Sequence, residues 1–600
     1  MTEMKKTIKI FAVGLLLAGG FSSCANLDMD DDGRLTMSDI FSHFGRTQVY
    51  FNNILNDMPK VSLAYTSGTT PMLAGFSDEA QDANDGQANH PVANWYSGAG
   101  SAADYKSFPL TQKTLNCWEH YYQAIYRCNM FIENIPDATC TSDEVIKAGW
   151  IAKARIARAY QYLQLLKRYG AVPIVDGLRS ADHDYSQDRR NSVEEVVDYI
   201  ISECDLALAS PNEDGALSWT NATTVDLNRF VPHAIKSQAA LYAASPLFNP
   251  DGVGKYTWSV AKDITKAALD ECLAHGARLF DKVPDAGSAI NVYDNYFLVE
   301  SSPSRSNDPE TLLASTTRLK IWEYCGTPMN GKMKEAGACP SQELVDSYDM
   351  ANGEEAITGY SDAQHLQPII NPNSGYSDAN PYEGRDPRFY ASIYYNGCQR
   401  NLDDSKSILY TYEGGNCGIS DQISDVRSTR TGYYMRKFNN FLSDDSHATD
   451  GFMRLFRMAE LYLNFAEAAY QSVGHEVKVG DMSALDAVNA IRARVGMPGL
   501  PSGLSKADFE RRYRKERRVE LAFEDHRYYD VRRWKILEQT DGFVTGMKAT
   551  KKADGTFSYE RFKLADRRSN TAKYYLYPLV QDEVSKMLQQ TGDNWQNPNW

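Results

Sequence analysis

The chain has 600 residues, a formal net charge of −15 and 42% hydrophobic residues. That apolar content is ordinary for a globular protein and excludes wholesale disorder, while an acidic balance with no basic stripe speaks against a nucleic-acid partner. Ten cysteines occur with no C-x-x-C pair, and no histidine cluster stands at ligand spacing, which argues against zinc and iron–sulfur sites.

Residues 1–23 read as a lipoprotein signal peptide. Lys5, Lys6 and Lys9 form a positive n-region, and Ile10 to Ala18 is an apolar h-region too short to span a bilayer. Phe21-Ser22-Ser23-Cys24 then resembles a bacterial lipobox, with Phe21 where Leu is usual. Cys24 is thus the expected lipidation site; the bland alternative is an ordinary signal peptide with an incidental cysteine. No other apolar stretch is long enough to cross a membrane, so the mature protein reads as soluble but tethered by its lipid.

Two readings compete for the acidic stretch after Cys24. It resembles signals that send lipoproteins on to the cell surface. Asp28, Asp30 and Asp32, with Gly33, Arg34 and Asp39, also have the spacing of a calcium loop, Arg34 lying at the position that ligates through its backbone carbonyl. No cofactor is required by anything else in the chain, and Ca2+ is the one candidate. The alternative is a solvated acidic turn capping a helix that starts near Ser38.

Residues 40–66 have the pattern of a first long helix. Ser67 to Pro109 turns to Gly, Ser, Asn and Asp, and holds Asp78, Asn94, Trp95 and Tyr96. A long polar loop is costly unless it serves a function, and a Trp-Tyr pair there has little helical face to join. Thr114 to Ile174 is a helical hairpin. Trp118, Tyr122, Ile125, Asn129 and Ile132 share one face of its first arm. Thr141 and Glu144 have capping-box spacing at the start of the second arm, which ends at Gly170 and Pro173. Further helices follow at 191–208, 227–247 and 258–273. Alternating amphipathic segments with short breaks are the pattern of a tetratricopeptide-like solenoid.

Residues 281–450 are rich in Tyr, Asn, Gly and Pro, with few periodic runs, and hold Tyr293, Tyr296, Trp322 and Tyr324. Helices return at 453–471, 484–495 and 506–534.

At this point several stretches together match one family. They are Trp118-x3-Tyr122-x2-Ile125-x-Arg127-x-Asn129, Gly170-x-x-Pro173, the Pro340–Asp346 stretch, Asp386-Pro387-Arg388, Arg457-x-Ala459-Glu460-x-Tyr462-Leu463-Asn464, Asn489-x-Ile491-Arg492-x-Arg494 and Glu516-Arg517-Arg518-x-Glu520-Leu521. In order and number they resemble the SusD/RagB family of nutrient-binding outer-membrane lipoproteins. The resemblance implies an all-α dominated fold, a tetratricopeptide-like superhelix of helix pairs with a loop-rich, irregular ligand-binding region. It divides the chain into the signal peptide, an N-terminal region 24–280, a ligand-binding insertion 281–450 and a C-terminal helical region 451–600. It also implies a binder rather than an enzyme, which captures a glycan, or in some members a peptide, for a SusC-like TonB-dependent transporter.

Catalysis is weighed against this. Glu460 and Glu467 lie seven apart on one helix, about 10.5 Å along its axis, at the edge of or past the carboxyl spacing of inverting glycosidases. Glu460, Glu467, Arg492 and Arg494 read as inter-helix polar ties, and Glu516, Glu520 and Glu524 read as an ion-pair lattice with Arg517, Arg518 and Arg527. Sugar binding needs flat rings that stack on pyranose C–H faces, with amides and carboxylates for the hydroxyl rim. On that logic the ligand-binding candidates are Trp95, Tyr96, Asp78, Asn94, Tyr293, Tyr296, Trp322 and Tyr324. Each has the alternative of anchoring its loop to the core. Two further readings stay open, a peptide carrier and a lipid-anchored glycosidase.

Overall fold

The computed structural model describes residues 35–58, 72–87, 90–103, 117–219, 225–283, 290–298, 307–318, 325–327, 334–400, 407–422, 424–438, 452–564 and 566–600. Cys24, Asp28, Asp30, Asp32, Arg34, Trp322 and Tyr324 lie outside them.

The first expected helix is two helices, α1 (Met37–Phe41) and α2 (Phe44–Asp57). Asp39 belongs to the capping box of α1: its carboxylate accepts from the Thr36 backbone N–H (2.9 Å) and hydroxyl (2.6 Å). That use fits a helix cap rather than a metal ligand. The stretch expected to be a long polar loop contains strand β1 (Ala80–Asp82) and helix α3 (Pro91–Tyr96).

The helical hairpin follows as α4 (Cys117–Asn134) and α5 (Glu144–Tyr169). Asp143, not Thr141, caps α5, its carboxylate accepting from the N–H groups of Val145 (2.9 Å) and Ile146 (3.2 Å). Then come α6 (Val193–Leu208), α7 (Phe230–Ala244) and α8 (Trp258–Ala274). Each helix from α5 to α8 packs on the one before it, which is the solenoid arrangement. Small residues permit close approach. Gly149 of α5 lies so near the 215–216 backbone that a Cβ there would stand 2.4 Å from the Gly215 carbonyl oxygen. Arg158 of α5 ties three helices together, donating to Glu203 of α6 (2.7 and 2.9 Å) and to Asn129 of α4 (2.7 Å).

Beyond α8 the chain makes α9 (Val292–Leu298), β2 (Thr311–Arg318), β3 (Ala338–Pro340), β4 (Ile357–Tyr360), β5 (Pro368–Ile370), α10 (Pro387–Ser392), β6 (Ile393–Tyr394) and β7 (Tyr434–Met435). It returns to helix through β8 (Phe452–Arg457), α11 (Met458–Ser472) and α12 (Ala484–Arg494). The run expected as one helix over 506–534 is broken into α13 (Lys506–Glu520) and α14 (His526–Arg533), with Phe523 and Asp525 in the left-handed region between them. The hairpin of β9 (Thr545–Lys551) and β10 (Phe557–Lys563) and helix α15 (Gln581–Thr591) complete the order.

All five named sheets are two-stranded and antiparallel: β1–β3, β2–β8, β4–β5, β6–β7 and β9–β10. The β1–β3 and β2–β8 pairs sew the central irregular region to the N- and C-terminal parts of the chain. α11 packs on α7 and α8. Helix therefore dominates. The irregular region has an apolar core of its own, which gathers Phe280, Tyr293, Tyr296, Tyr348, Phe389 and Tyr433. The nine cysteines after Cys24 are all free thiols. Among the described residues no helix is long and apolar enough to cross a membrane.

Candidate functional site

A cleft of about 840 Å³ opens in the irregular region, a size typical of ligand sites. Three separated stretches build its walls: Gln81 to Tyr96, Glu413 to Arg430, and the β9–β10 hairpin with the residues just after it. Its apolar lining is Tyr96, Phe562, Leu564 and Ile419. Its polar lining includes Asp85, Glu413, Ser420, Asp421, Gln422, Lys548 and Asp566.

A chain of polar contacts fixes these walls. Arg567 donates to the backbone carbonyls of Ser77 (2.6 Å) and Ala80 (2.7 Å) and to the side-chain oxygen of Gln81 (2.6 Å). The Gln81 amide in turn donates to Asp85 (2.9 Å), and Asp85 accepts from Arg430 Nε (3.1 Å). The rest of the Arg430 guanidinium donates to the carbonyls of Ser420 (2.8 Å), Gln422 (3.0 Å) and Ala83 (3.0 Å). Irregular backbone cannot satisfy its own carbonyls, and a buried one left without a donor costs a kcal/mol or more, on the order of 1–3. Buried arginines supply those donors here.

The remaining wall depends on one close approach. Met547 N–H donates to the Thr431 carbonyl (2.8 Å), which lays the 429–434 turn on β9. Gly432 stands in that turn at φ 88°, and a Cβ there would meet the Met547 carbonyl oxygen at 2.1 Å. Only glycine allows this seat.

Behind the cleft, Asn84 joins two carboxyl groups. It donates from its backbone and side chain to Asp82 (2.9 and 3.1 Å) and from its side chain to Glu335 (2.9 Å). Burial pushes Glu335 up to about 7, with the Asp82 charge adding to it. Burial likewise raises Asp82 above the usual carboxylate range.

The sequence-derived candidates fare differently from one another. Trp95 is a core residue, only 2% exposed, with its ring against Phe76 (5.3 Å), Tyr574 (4.7 Å) and Tyr528 (6.1 Å). Tyr293 and Tyr296 are fully buried. The Tyr293 hydroxyl donates to the Glu520 carbonyl (2.6 Å) and accepts from Lys437 (2.7 Å), while the Tyr296 hydroxyl pairs with Thr311 (2.8 Å). Asp78 is buried beneath Arg527, which donates to both its oxygens (2.7 and 2.8 Å). Burial alone would raise its carboxyl, and Arg518 and Arg527 overcome that and hold it low. These four are corrections: each is an anchor, because the loops carrying them are packed segments with an interior of their own. Asn94 is half-buried on α3 and does not line the cleft. Of the six candidates among the described residues, Tyr96 alone lines it. It is 8% exposed, donates to the Gly75 carbonyl (2.6 Å), and lies under the Arg567 guanidinium at 4.3 Å.

Sequence reasoning missed Gln81, Asp85, Arg430, Lys548 and Phe562. One signal was present. Asp554-Gly555 between two alternating runs marks the β9–β10 hairpin, and its register pairs Phe562 with Gly546.

The carboxylates weighed for catalysis hold the scaffold. Both Glu467 oxygens accept from Arg533 (2.6 Å each), and Trp534 and Tyr513 add donors at 2.6 and 2.9 Å. Glu460 accepts from Gln238 (2.6 Å). The glutamates of α13 and the turn after it are in ion pairs, but not with their helical neighbours as expected. Glu516 takes Arg388 (2.6 Å) and Arg492 (2.8 Å), Glu520 takes Arg457 (2.7 Å), Arg388 (3.1 Å) and Arg494, and Glu524 takes Arg457 (2.7 Å) and Lys437 (2.7 Å). Arg517 instead pairs with Asp530 (2.8 Å), and Arg518 and Arg527 pair with Asp78.

Comparison with known proteins places this architecture. Residues 316–600 match the model of the SusD family, and residues 31–213 match a model described as "starch-binding associating with outer membrane". A SusD-like protein of Bacteroides ovatus is 21% identical over 455 residues, 75% of this chain and 70% of that protein. A crystal structure of a SusD-like protein from Bacteroides fragilis superposes with a TM-score of 0.73 at 24% identity, covering 94% of this chain and 99% of that one. A SusD-like carbohydrate binding protein, also from B. fragilis, gives 0.65 at 20% identity over 91% and 99%.

Proposed function

The chain belongs to the SusD/RagB family, and we propose that it is a cell-surface lipoprotein that binds a glycan in the loop-region cleft and passes it to a SusC-like outer-membrane transporter. The observation that carries the reading is the make-up of that cleft. It sets the rings of Tyr96 and Phe562 among hydrogen-bonding groups of both kinds, the carboxylates of Glu413, Asp421 and Asp566 and the Lys548 ammonium, which stands 3.4 Å from Glu413, while Arg430 is spent on holding the wall. A sugar presents apolar C–H faces and a rim of hydroxyls that donate and accept, so it matches a mixed lining better than an ion of either sign does. Asp85 is already committed to Gln81 and Arg430, which suits a positioning role rather than proton transfer.

Membership of the family and the carbohydrate-binding relative from B. fragilis support the ligand class. Lipidation at Cys24, surface exposure on the outer membrane and release to the transporter are parts of the same proposal. The test is calorimetric titration of the full chain with a panel of neutral oligosaccharides and of oligopeptides. Saturable binding to one sugar class, weakened ten-fold or more by Lys548→Ala with Phe562→Ala, supports the reading. Binding to peptides alone contradicts it.

A further inference from the structure

The helical layer has a cleft of its own, about 920 Å³, that shares no residue with the first. It lies between α2, α4, the connection following α5, and α15. Trp118, Tyr122 and Tyr126 line it from one face of α4. They are four residues apart, hence about 6 Å per step along the helix axis. Their exposure climbs along the row, from 7% at Trp118 to 53% at Tyr126. Trp118 and Tyr122 are in ring contact at 4.8 Å, and the Tyr122 hydroxyl is spent on the Pro173 carbonyl (2.8 Å). What Tyr122 has left to offer is a ring face. Tyr185 stands at the cleft from the connecting loop, 37% exposed, with Arg179 at 5.7 Å and Lys586 at 5.8 Å from its ring centre.

A solenoid needs no open row of rings. Each helix buries its apolar face against its neighbours, and a Tyr half in water on a scaffold helix contributes little to that seam. The polar lining decides what the rings are for. Glu119, Asp582 and Glu583 face the cleft together with Arg127, Arg179 and Lys586. The two arginines are held in place by internal partners, Arg127 by Asp57 and Arg179 by Asp188. Asp188 lines the cleft as well, so four carboxylates stand among three basic groups, and each base is already paired with a carboxylate, which leaves no uncompensated cation to select an anionic ligand. The cleft offers donors and acceptors around a ladder of flat rings whose step is close to the length of one sugar unit.

We propose that this cleft is a second binding site, for a run of neutral sugars laid along the Trp118–Tyr122–Tyr126 row. It shares its ligand class with the proposed function but neither its residues nor its location, so each site can fail without the other. The experiment is calorimetric titration of the full chain with maltohexaose, cellohexaose and a xylogluco-oligosaccharide. It compares the wild type, Tyr126→Ala with Tyr185→Ala, and Lys548→Ala with Phe562→Ala. Both helical-cleft positions are partly exposed, and circular dichroism checks that the fold is kept. The expected result is two sites on the wild type and one on each double variant. The helical-cleft pair removes its own site by ten-fold or more in affinity and leaves the other unchanged. One site on the wild type, lost in the loop-cleft variant and untouched by Tyr126→Ala with Tyr185→Ala, overturns the second site and keeps the first. The opposite loss keeps the second site and overturns the first, and no binding of any probe overturns both.

Discussion

The helical layer and the irregular region solve the same problem by different means. In α4 to α8 every interior carbonyl finds its donor four residues on, so the layer needs only an apolar seam, and α5 supplies one with Ile156, Tyr162, Leu163 and Leu166, all fully buried. The irregular region also has a buried core, but its backbone has few partners of its own. Arginines make up the deficit. Arg385 donates to the carbonyls of Val345 (2.6 Å), Tyr348 (2.9 Å) and Pro381 (2.9 Å), and Arg430 and Arg567 do the same around the cleft. Two further buried arginines, Arg388 and Arg457, meet the carboxylates of α13 instead, Arg388 at Glu516 and Glu520 and Arg457 at Glu520, and so clamp this part of the chain to that helix. A helix can therefore lose one polar contact cheaply, whereas a packed loop loses its shape with its arginine.

The largest expected effect is at that clamp. Arg457→Leu leaves Glu310, Glu520 and Glu524 short of a buried cation and should cost about 3–5 kcal/mol, read as a fall in thermal midpoint and loss of cooperativity. Trp95→Ala should come next, at about 3 kcal/mol or more, with sugar affinity of the folded fraction unchanged; a large affinity loss at full stability would restore Trp95 as a ligand contact. Arg430→Ala removes donors from three carbonyls and should cost about 2 kcal/mol. Hydrogen exchange should then speed up across 413–430 while α4 and α5 stay protected. If protection fell equally in both, the contrast between the two regions would be wrong.

The smallest effect is a pH dependence of opposite sign in two places. Glu524 is held down at about 2: burial opposes its charge, and Arg457 and Lys437 overcome that. Its contribution is present above about 4.5 and lost as the pH falls towards 2. Glu335 is raised by burial to about 7, so its contribution is present below about 4.5 and lost as the pH rises towards 7. A denaturation series on Glu335→Gln against wild type should flatten the upper limb by about 1 kcal/mol, allowing for solvent screening.

The helical layer was largely legible from its 3.6-residue period and its stops. Gly170 ends α5 at φ 72° as its position suggested. The helix break at 521–525 was not, because Phe523 and Asp525 adopt left-handed conformations at residues that give no turn signal. The ion pairs of α13 were expected in kind but not in partner. Helical spacing predicts only local pairs, and Arg388 and Arg457 arrive from more than sixty residues away in sequence. Trp95, Tyr293 and Tyr296 turned out to be core residues for a related reason. A low density of periodic apolar residues predicts an open loop, whereas Tyr293 and Tyr296 sit in a core assembled from many short segments. Tyr96 reached the cleft only because α3 turns its edge toward Arg567 and Gln81, a relation that appears once the chain ends are folded together.

The central claim is that the loop-region cleft binds neutral sugar. Titrating the wild type and the Lys548→Ala, Phe562→Ala double variant with the same oligosaccharide panel tests it most directly. The account predicts saturable binding of one sugar class to the wild type, with loss of the loop-cleft site in a variant of unchanged thermal midpoint. Equal sugar affinity at every site of both proteins would contradict it.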